Sequence, residues 1–131
     1  MNISSQKSKG SQFEYSVRDS LAQKYSDVLL SKQEGFYAQH DIIIHSKRIK
    51  IECKKHKGFS WNELEKYFDK LAKRDPVDYT PLVIFQSNRQ PCLVFSEGSC
   101  YISDDKTKYK CRCVVKFDVF FNVPFIKHKG R

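Results

Sequence analysis

A chain of 131 residues can bury one hydrophobic core but hardly two, so we expect a single domain over residues 1–131. Its 24 Lys and Arg against 15 Asp and Glu give a net charge of +9, which favours a nucleic-acid partner, although many basic proteins are merely soluble. No stretch approaches the roughly 20 apolar residues that span a membrane and the N-terminus lacks a secretory signal, so we expect an intracellular protein with no membrane partner.

The first helix is predicted from two short patterns. Residues 1–10 are polar and rich in Ser and Lys, so we expect a flexible basic arm that ends at Gly10. Ser11 and Glu14 have the spacing of a capping box, and an apolar stripe follows, which predicts a helix over about residues 11–27. The stripe comprises Phe13, Val17, Leu21 and Val28, with Tyr25 beside it.

Three short strands are predicted next, at residues 36–38, 41–45 and 48–54. The last two strands alternate strictly between an apolar face and a charged face, so one face should look toward a core and the other should carry charge. The apolar face comprises Ile42, Ile44, Ile49, Ile51 and Cys53. The other face comprises Asp41, Ile43, His45, Arg48, Lys50, Glu52 and Lys54.

A second helix is predicted over residues 61–73, after a basic loop at 55–58. Ser60 and Glu63 repeat the capping-box spacing, and Asp75-Pro76 ends the helix. Its apolar stripe is Trp61, Leu64, Phe68 and Leu71, which we interpret as core, with any exposed part available to a dimer interface.

The remaining segments complete an α/β pattern. They are strands at 82–86 and 92–95, a polar stretch at 104–110, a strand-like run at 111–121 and a basic tail at 124–131. The order α-β-β-β-α-β-β predicts an α/β fold in which a central mixed β-sheet is flanked by helices.

The hairpin between the second and third strands carries the candidate chemistry. If it closes symmetrically around Ser46 and Lys47, residues whose numbers sum to 93 face each other, and Asp41 lies opposite Glu52. Their Cβ atoms would then be roughly 5 Å apart, with Lys54 on the same face. Ser46-Lys47 is not a favoured two-residue turn, but a four-residue loop with the same centre preserves the pairing.

Two facing carboxylates repel each other unless a cation lies between them. Mg2+ suits this pair because it prefers oxygen ligands and keeps waters that leave room for a phosphate oxygen and an attacking water. Lys54 could position that water and offset negative charge on the phosphate, so the pattern favours phosphodiester hydrolysis. The alternative is an ordinary solvated strand face, to which a one-residue slip in register would also lead.

These residues resemble a known nuclease superfamily. His40-Asp41, ten residues, then Glu52-Cys53-Lys54 looks like the PD-(D/E)xK motif, with His40 where proline is expected. Lys9-Gly10 and Glu14 on the preceding helix are similar to archaeal-type Holliday junction resolvases, and the resemblance covers about residues 9–95.

The resemblance implies a restriction-endonuclease-like fold and a site in which Asp41, Glu52, the Cys53 carbonyl and Glu14 hold Mg2+, with Mn2+ as a substitute. Lys54 would assist the attacking water. It further implies a homodimer that acts on DNA and resolves four-way (Holliday) junctions by paired hydrolysis. A nuclease of the same superfamily acting on other DNA structures, or a non-catalytic nucleic-acid-binding module, is the alternative.

Several other residues have both a functional and a structural interpretation. Glu14 in a capping box needs no catalytic purpose. Histidine is a poor magnesium ligand, so we expect phosphate contacts or surface roles for His40, His45 and His56. The lysines that could contact DNA phosphates, or simply be solvated, are Lys7, Lys9, Lys55 and Lys57, together with Lys127, Lys129 and Arg131 of the tail.

The five cysteines favour reduced thiols, since the number is odd and Cys53 lies within a strand-like run. Four of them could form a zinc site, but the paired Cys-x2-Cys spacing of such sites is missing, so thiols buried as small apolar side chains are the expected state. These four are Cys92, Cys100, Cys111 and Cys113.

Overall fold

The computed structural model describes residues 3–31, 40–101 and 108–127, with the side chains of residues 12–31, 40–99 and 108–127. The first half contains α1 (Ile3–Leu21), β1 (Val28–Leu30), β2 (Ile42–Ile44), a 3-10 turn (His45–Lys47) and β3 (Ile49–His56). The second half contains α2 (Trp61–Lys73), β4 (Thr80–Ser87), β5 (Leu93–Tyr101), β6 (Lys108–Lys116) and α3 (Phe117–Phe121).

The six strands form one mixed sheet in the order β1-β2-β3-β4-β5-β6. Strands β3 and β4 are parallel, and every other neighbouring pair is antiparallel. A parallel pair needs a crossover, and α2 provides it between β3 and β4. The predicted α/β class, a central mixed sheet flanked by helices, is confirmed.

Each face of the sheet is covered by a separate apolar cluster. On one face, Phe13, Val17 and Leu21 of α1 belong to a core that also contains residues of β2, β3 and α3, namely Ile42, Ile44, Ile51, Phe117 and Phe121. On the other face, Leu64 and Phe68 of α2 pack with Val83, Phe85 and Phe95. The sheet is therefore sandwiched between helices, and the two clusters hold β3 and β4 at the centre of the molecule.

The second helix agrees with its prediction in both bounds and cap. Ser60 Oγ accepts a hydrogen bond from Glu63 N at 3.2 Å, and the Glu63 carboxylate accepts one from Ser60 N in return. Trp61 is 47% exposed rather than buried, although its ring meets the Phe95 ring with centroids 5.0 Å apart. Among the helices that the structure describes, none is both long and apolar enough to cross a bilayer.

The N-terminal prediction was wrong in both bounds of the helix. Helix α1 begins at Ile3 and ends at Leu21, so residues 3–10 are helical rather than a flexible arm. Gly10 does not interrupt the helix, since a glycine in a helix costs only about 1 kcal/mol relative to alanine. Ser11 is consequently no N-cap, and Glu14 lies inside the helix, where the capping interpretation no longer applies.

Two strand predictions also need correction. A strand that the sequence did not predict lies at Val28–Leu30, directly after the helix predicted over about residues 11–27, whereas the strand predicted at 36–38 lies outside the described residues. The strand-like run predicted at 111–121 is strand only to Lys116 and then turns into α3. Phenylalanines at 117 and 121 can serve either element, and the structure uses their four-residue spacing to bury both on one side of a helix.

The charged face predicted for β3 is not wholly solvated, because Lys50 is 0% exposed. Its Nζ donates to the carbonyl of Arg74 at 2.7 Å and to that of Ala72 at 3.2 Å. These carbonyls belong to the C-terminal end of α2, which attracts positive charge through its dipole. Burial lowers the pKa of the Lys50 ammonium, and the nearby carboxylate of Asp75 opposes that effect. Lys50 thus fastens the end of α2 to β3.

We predict that Lys50→Met lowers the free energy of unfolding by about 1 to 3 kcal/mol, the usual cost of leaving buried hydrogen-bonding groups unsatisfied. Urea denaturation measures this change. Lys66→Met is the control because Lys66 is exposed on α2, the helix that Lys50 contacts. An unchanged or higher stability of Lys50→Met would mean that the cost of burying the ammonium outweighs its hydrogen bonds.

Candidate active site

The β2–β3 hairpin has the register that the sequence predicted. Ile42 pairs with Ile51, Ile43 with Lys50 and Ile44 with Ile49, so paired residue numbers sum to 93. A four-residue connection, residues 45–48, provides the turn, and Arg48 adopts a left-handed conformation with φ 54°. The centre of the hairpin therefore lies between Ser46 and Lys47, as symmetric closure required.

Asp27 holds this turn from outside the hairpin. Its two carboxylate oxygens accept hydrogen bonds from the Ser46 main-chain N at 2.8 Å and from Ser46 Oγ at 2.7 Å. These hydrogen bonds are the main reason why the pKa of Asp27 is lowered. A tight turn without glycine is therefore stabilised by a side chain that belongs to the segment before β1.

Asp41 immediately precedes β2 and is hydrogen-bonded on both sides. Its main-chain N donates to Ile51 O at 2.9 Å, and its carbonyl accepts from Ser31 N at 2.8 Å. Its Oδ2 accepts a hydrogen bond from Cys53 N at 2.7 Å. The carboxylate thus continues the hydrogen bonding of β3 beyond the last paired residue of β2 and is fixed beside Cys53.

Glu52 and Lys54 form an ion pair on the face of β3 that α2 covers. Glu52 Oε1 lies 3.3 Å from Lys54 Nζ, and Glu52 Oε2 lies 3.5 Å from the Arg74 guanidinium. Lys54 Nζ also lies 4.8 Å from the centre of the Tyr67 ring, whose face attracts cations. Helix α2 therefore supplies two neighbours, Tyr67 and Arg74, to side chains of β3.

Asp41 has an unusual protonation equilibrium. Its pKa is raised from 3.8 to about 7, first by burial and then by the negative charge of Glu52, with a smaller contribution from Glu14. The Cys53 N–H and the Lys54 ammonium oppose this rise but do not cancel it. Three carboxylates from α1, β2 and β3 therefore share one electrostatic environment, and a cation would relieve their repulsion.

The donor set fits a hard cation in its chemistry but is not arranged around one. Within the side chains that the structure describes, no three His, Cys, Asp or Glu residues are placed to hold one metal ion. The reason is visible in their partners: Asp41 Oδ2 faces Cys53 N, and Glu52 faces Lys54 and Arg74. Carboxylate oxygens are nevertheless the ligands that Mg2+ prefers.

The other residues singled out from the sequence have different positions. Lys55 and Lys57 are exposed, and the side chains of Lys7 and Lys9 lie outside the described part of the chain. His40 is buried, so its expected surface role was wrong.

The other two histidines singled out from the sequence, His45 and His56, are exposed and have aromatic neighbours. His45 Nδ1 lies 2.9 Å from Tyr79 Oη, and the ring of His56 stacks on Phe59 with centroids 4.9 Å apart.

No pattern in the sequence predicted that Arg74 and Tyr67 lie beside Glu52 and Lys54. Both lie on or just after α2, and no spacing in the sequence relates them to Glu52 or Lys54. The only available signal was the crossover itself, because a helix between two neighbouring parallel strands packs on the sheet that contains them. It could have directed attention to the polar residues of α2, but not to these two.

The cysteines do not behave as one group. Cys92 is buried, and burial raises the pKa of its thiol to about 12, in agreement with the expected apolar role. Cys111 is disulfide-bonded and Cys113 is an exposed free thiol, so buried reduced thiols were the wrong expectation for these two. A disulfide at Cys111 also removes one thiolate from the zinc alternative.

Comparison with known proteins identifies the fold. No family model and no curated protein matches the sequence. Among solved structures, the chain is similar to Hjc, a Holliday junction resolvase from the archaeal hyperthermophile Archaeoglobus fulgidus, with a TM-score of 0.51 and 16% sequence identity. The match covers 90% of this chain and 99% of that chain. The resemblance to archaeal-type resolvases is therefore confirmed at the level of the fold.

The raised pKa of Asp41 makes stability depend on pH when no divalent cation is bound. Between pH 3.8 and about 7 the folded state keeps a proton that the unfolded chain loses, so the free energy of unfolding falls as the pH rises. Relative to Asp41→Asn, the native protein should lose a few kcal/mol over this range, since one pKa unit corresponds to about 1.4 kcal/mol.

Urea denaturation in EDTA at several pH values from 4.5 to 8 measures this difference. Asp118→Asn is the matched control because Asp118 is exposed and far along the chain from the carboxylate cluster. A pH-independent difference between the native protein and Asp41→Asn would contradict the assigned pKa.

Proposed function

We propose that this protein is a magnesium-dependent DNA endonuclease that resolves four-way junctions, with its active site at Glu14, Asp41, Glu52 and Lys54. The observation that carries the proposal is the electrostatic cluster around Asp41, in which burial and two neighbouring carboxylates raise its pKa to about 7. A Lys amine lies 3.3 Å from one of those carboxylates. The fold shared with an archaeal resolvase supports the same reading.

In this proposal the carboxylates of Asp41, Glu52 and Glu14, with the main-chain carbonyl of Cys53, hold Mg2+, and Mn2+ substitutes for it. The bound ion would supply a Lewis acid for the phosphate and lower the pKa of a water molecule. Asp41 is already fixed by its hydrogen bond from Cys53 N, so it contributes a preorganised ligand. Glu52 must exchange its contacts with Lys54 and Arg74 for that ion.

Lys54 meets two requirements of a residue that assists phosphodiester hydrolysis. Its ammonium can orient the attacking water and offset the negative charge that develops on the phosphate. The Tyr67 ring, 4.8 Å from Nζ, limits the positions that this long side chain adopts. This half-buried ring therefore helps to position the amine.

The substrate and the assembly extend the proposal. DNA binding through Lys7, Lys9, Lys55 and Lys57 suits a chain with a net charge of +9, and such a substrate implies an intracellular protein. One compact domain carries a single site, so paired incision of a four-way junction requires a homodimer, whose symmetry would present two identical sites to opposite strands.

A non-catalytic nucleic-acid-binding module is the competing function, and one observation favours it. Glu52 is balanced by Lys54 and Arg74, so its charge has partners without any metal ion. The two functions differ in whether the carboxylates are needed for strand cleavage.

We predict that the purified protein nicks a labelled four-way junction in Mg2+ or Mn2+ and not in EDTA. Glu52→Gln, Asp41→Asn and Lys54→Met should each reduce the cleavage rate by about 100-fold or more, the usual effect of removing charge stabilisation from a transition state. Asp118→Asn should retain the native rate. Denaturing gels of all four arms would measure the rates and map whether nicks occur in symmetric pairs.

Binding without metal-dependent nicking, or nicking that is insensitive to Glu52→Gln, would overturn the nuclease proposal in favour of the binding module. Metal-dependent nicking of linear duplexes at the same rate as junctions would retain a nuclease but remove the junction preference.

We also predict that Mg2+ stabilises the native fold and that Glu52→Gln abolishes this effect. A cation that binds only the folded protein raises its apparent stability in proportion to the logarithm of its concentration. Thermal melts at pH 7.5 over 0 to 20 mM Mg2+ would measure it, with Asp118→Asn as control. An equal rise in melting temperature for Glu52→Gln would place the ion elsewhere.

A further inference from the structure

A cleft with a volume of about 490 Å³ opens where the carboxyl ends of β3 and β4 meet. Because these strands are parallel and in register, Lys55 lies beside Gln86 at this edge of the sheet. The turn after β4 and the segment after α3 complete the walls. The cations and amides that line it are Lys55, Gln86, Asn88, Arg89 and Lys127.

The charge of the cleft has one sign. Three of its lining residues are Lys or Arg, and none of those described is acidic, although the chain has 15 Asp and Glu residues. Side-chain amides add further hydrogen-bond donors. An exposed surface that only maintains solubility would mix both signs, whereas this combination suits the oxygens of a phosphodiester.

The cations come from β3, from the turn after β4 and from the segment after α3. Hydrogen bonds hold both the turn and the C-terminal segment in place. Gln90 N donates to Ser87 O at 3.1 Å, and Gln86 Nε2 donates to Gln90 O at 2.8 Å, which closes the turn around Arg89. Arg89 itself has φ 61°, a left-handed conformation that this turn requires.

The C-terminal wall is docked rather than loose. Ile126 N donates to Ser20 Oγ at 2.8 Å, and the Gln23 side chain donates to Pro124 O at 3.0 Å. The Phe125 ring packs near Phe13 with centroids 6.1 Å apart. Helix α1 thereby holds Lys127 at the cleft, so the part of the predicted basic tail up to this residue is a structural wall.

The cleft also borders two of the elements that carry the candidate active site, α1 and β3. A narrower extension is lined by Gln12, Phe13 and Ser16 of α1, the turn of helix that carries Glu14. On the sheet side, Lys55 directly follows Lys54 in β3. Successive side chains of a strand point to opposite faces, so the cleft lies on the α1 side of the same strand whose other face carries Glu52 and Lys54.

We propose that this cleft binds the phosphate backbone of the DNA strand next to the cleavage position, through Lys55, Arg89 and Lys127. The contact is with phosphates and not bases, so it positions the strand without reading its sequence. The inference rests on the proposed nuclease function for its substrate, but phosphate binding by the cleft does not itself need the metal ion.

Charge-removal variants test the cleft directly. The cleft variant combines Lys55→Gln, Arg89→Asn and Lys127→Gln, with asparagine at 89 because it tolerates a left-handed backbone. The control variant combines Lys66→Gln, Lys70→Gln and Lys73→Gln, three exposed lysines of α2. Both remove three positive charges, so they differ only in where the charge is lost.

Affinity for a labelled four-way junction is measured by fluorescence anisotropy in EDTA between 50 and 200 mM KCl, where cleavage cannot occur. Each lost phosphate contact lowers the slope of log affinity against log salt by about 0.9. We expect the cleft variant to lose about 2 to 3 from this slope and to bind at least tenfold more weakly at 50 mM KCl. The control variant should lose less than half as much.

An equal loss in both triple variants would overturn the inference, because net charge alone would then explain binding. Arg89→Asn alone, in an exposed turn, guards against misfolding of the triple variant, and its slope should fall by about 0.9. An unchanged slope for this single variant would also overturn the inference.

The outcome separates from that of the nuclease proposal. Asp118→Asn should retain the native slope, since Asp118 is exposed and lines neither the cleft nor the candidate active site. If the native protein never nicks DNA but the cleft variant loses slope, the nuclease proposal fails and the cleft stands. If nicking depends on Glu52 but the cleft variant keeps the native slope, the reverse holds.

Discussion

The register between β2 and β3 is the constraint on which the acidic site depends. A shift of one residue would turn Asp41 to the other face of the sheet and leave Glu52 without its acidic neighbour. Ile42, Ile44 and Ile51 hold this register because they are buried in the core on the α1 side of the sheet, and Asp27 holds the turn. The hydrogen bond from Cys53 N then fixes the Asp41 carboxylate immediately before β2.

This arrangement stores unfavourable electrostatic energy at one end of the sheet. Burial and like charge raise the pKa of Asp41, while Lys54 and Arg74 balance Glu52. Sites that break the usual rules of stability are typical of function, because the remaining structure must compensate for them. Here the compensation comes from two apolar clusters, one on each face of the sheet.

The Lys and Arg side chains behind the net charge of +9 have several unrelated roles. Lys50 is buried and fastens α2, and Arg112 joins β6 to α2 and β5 through Glu65, Asp69 and Glu97. Arg74 faces a carboxylate of the site. The cations of the cleft, Lys55, Arg89 and Lys127, are instead exposed to solvent, where a polyanion could contact them. Net charge by itself therefore does not locate a surface for a polyanion.

The sequence by itself determined the α/β class, the bounds and cap of α2, and the register of β2 against β3, because each follows from periodicity or a cap within one short segment. Only the tertiary structure decided that α1 starts at Ile3, that Lys50 is buried, that Arg74 and Tyr67 flank the site, and that Lys127 lines a cleft with Lys55. Alternation along a strand assigns residues to a face, but it does not say what covers that face. Packing between segments far apart in the chain decides what covers a face, and such packing produces no regular spacing in the sequence.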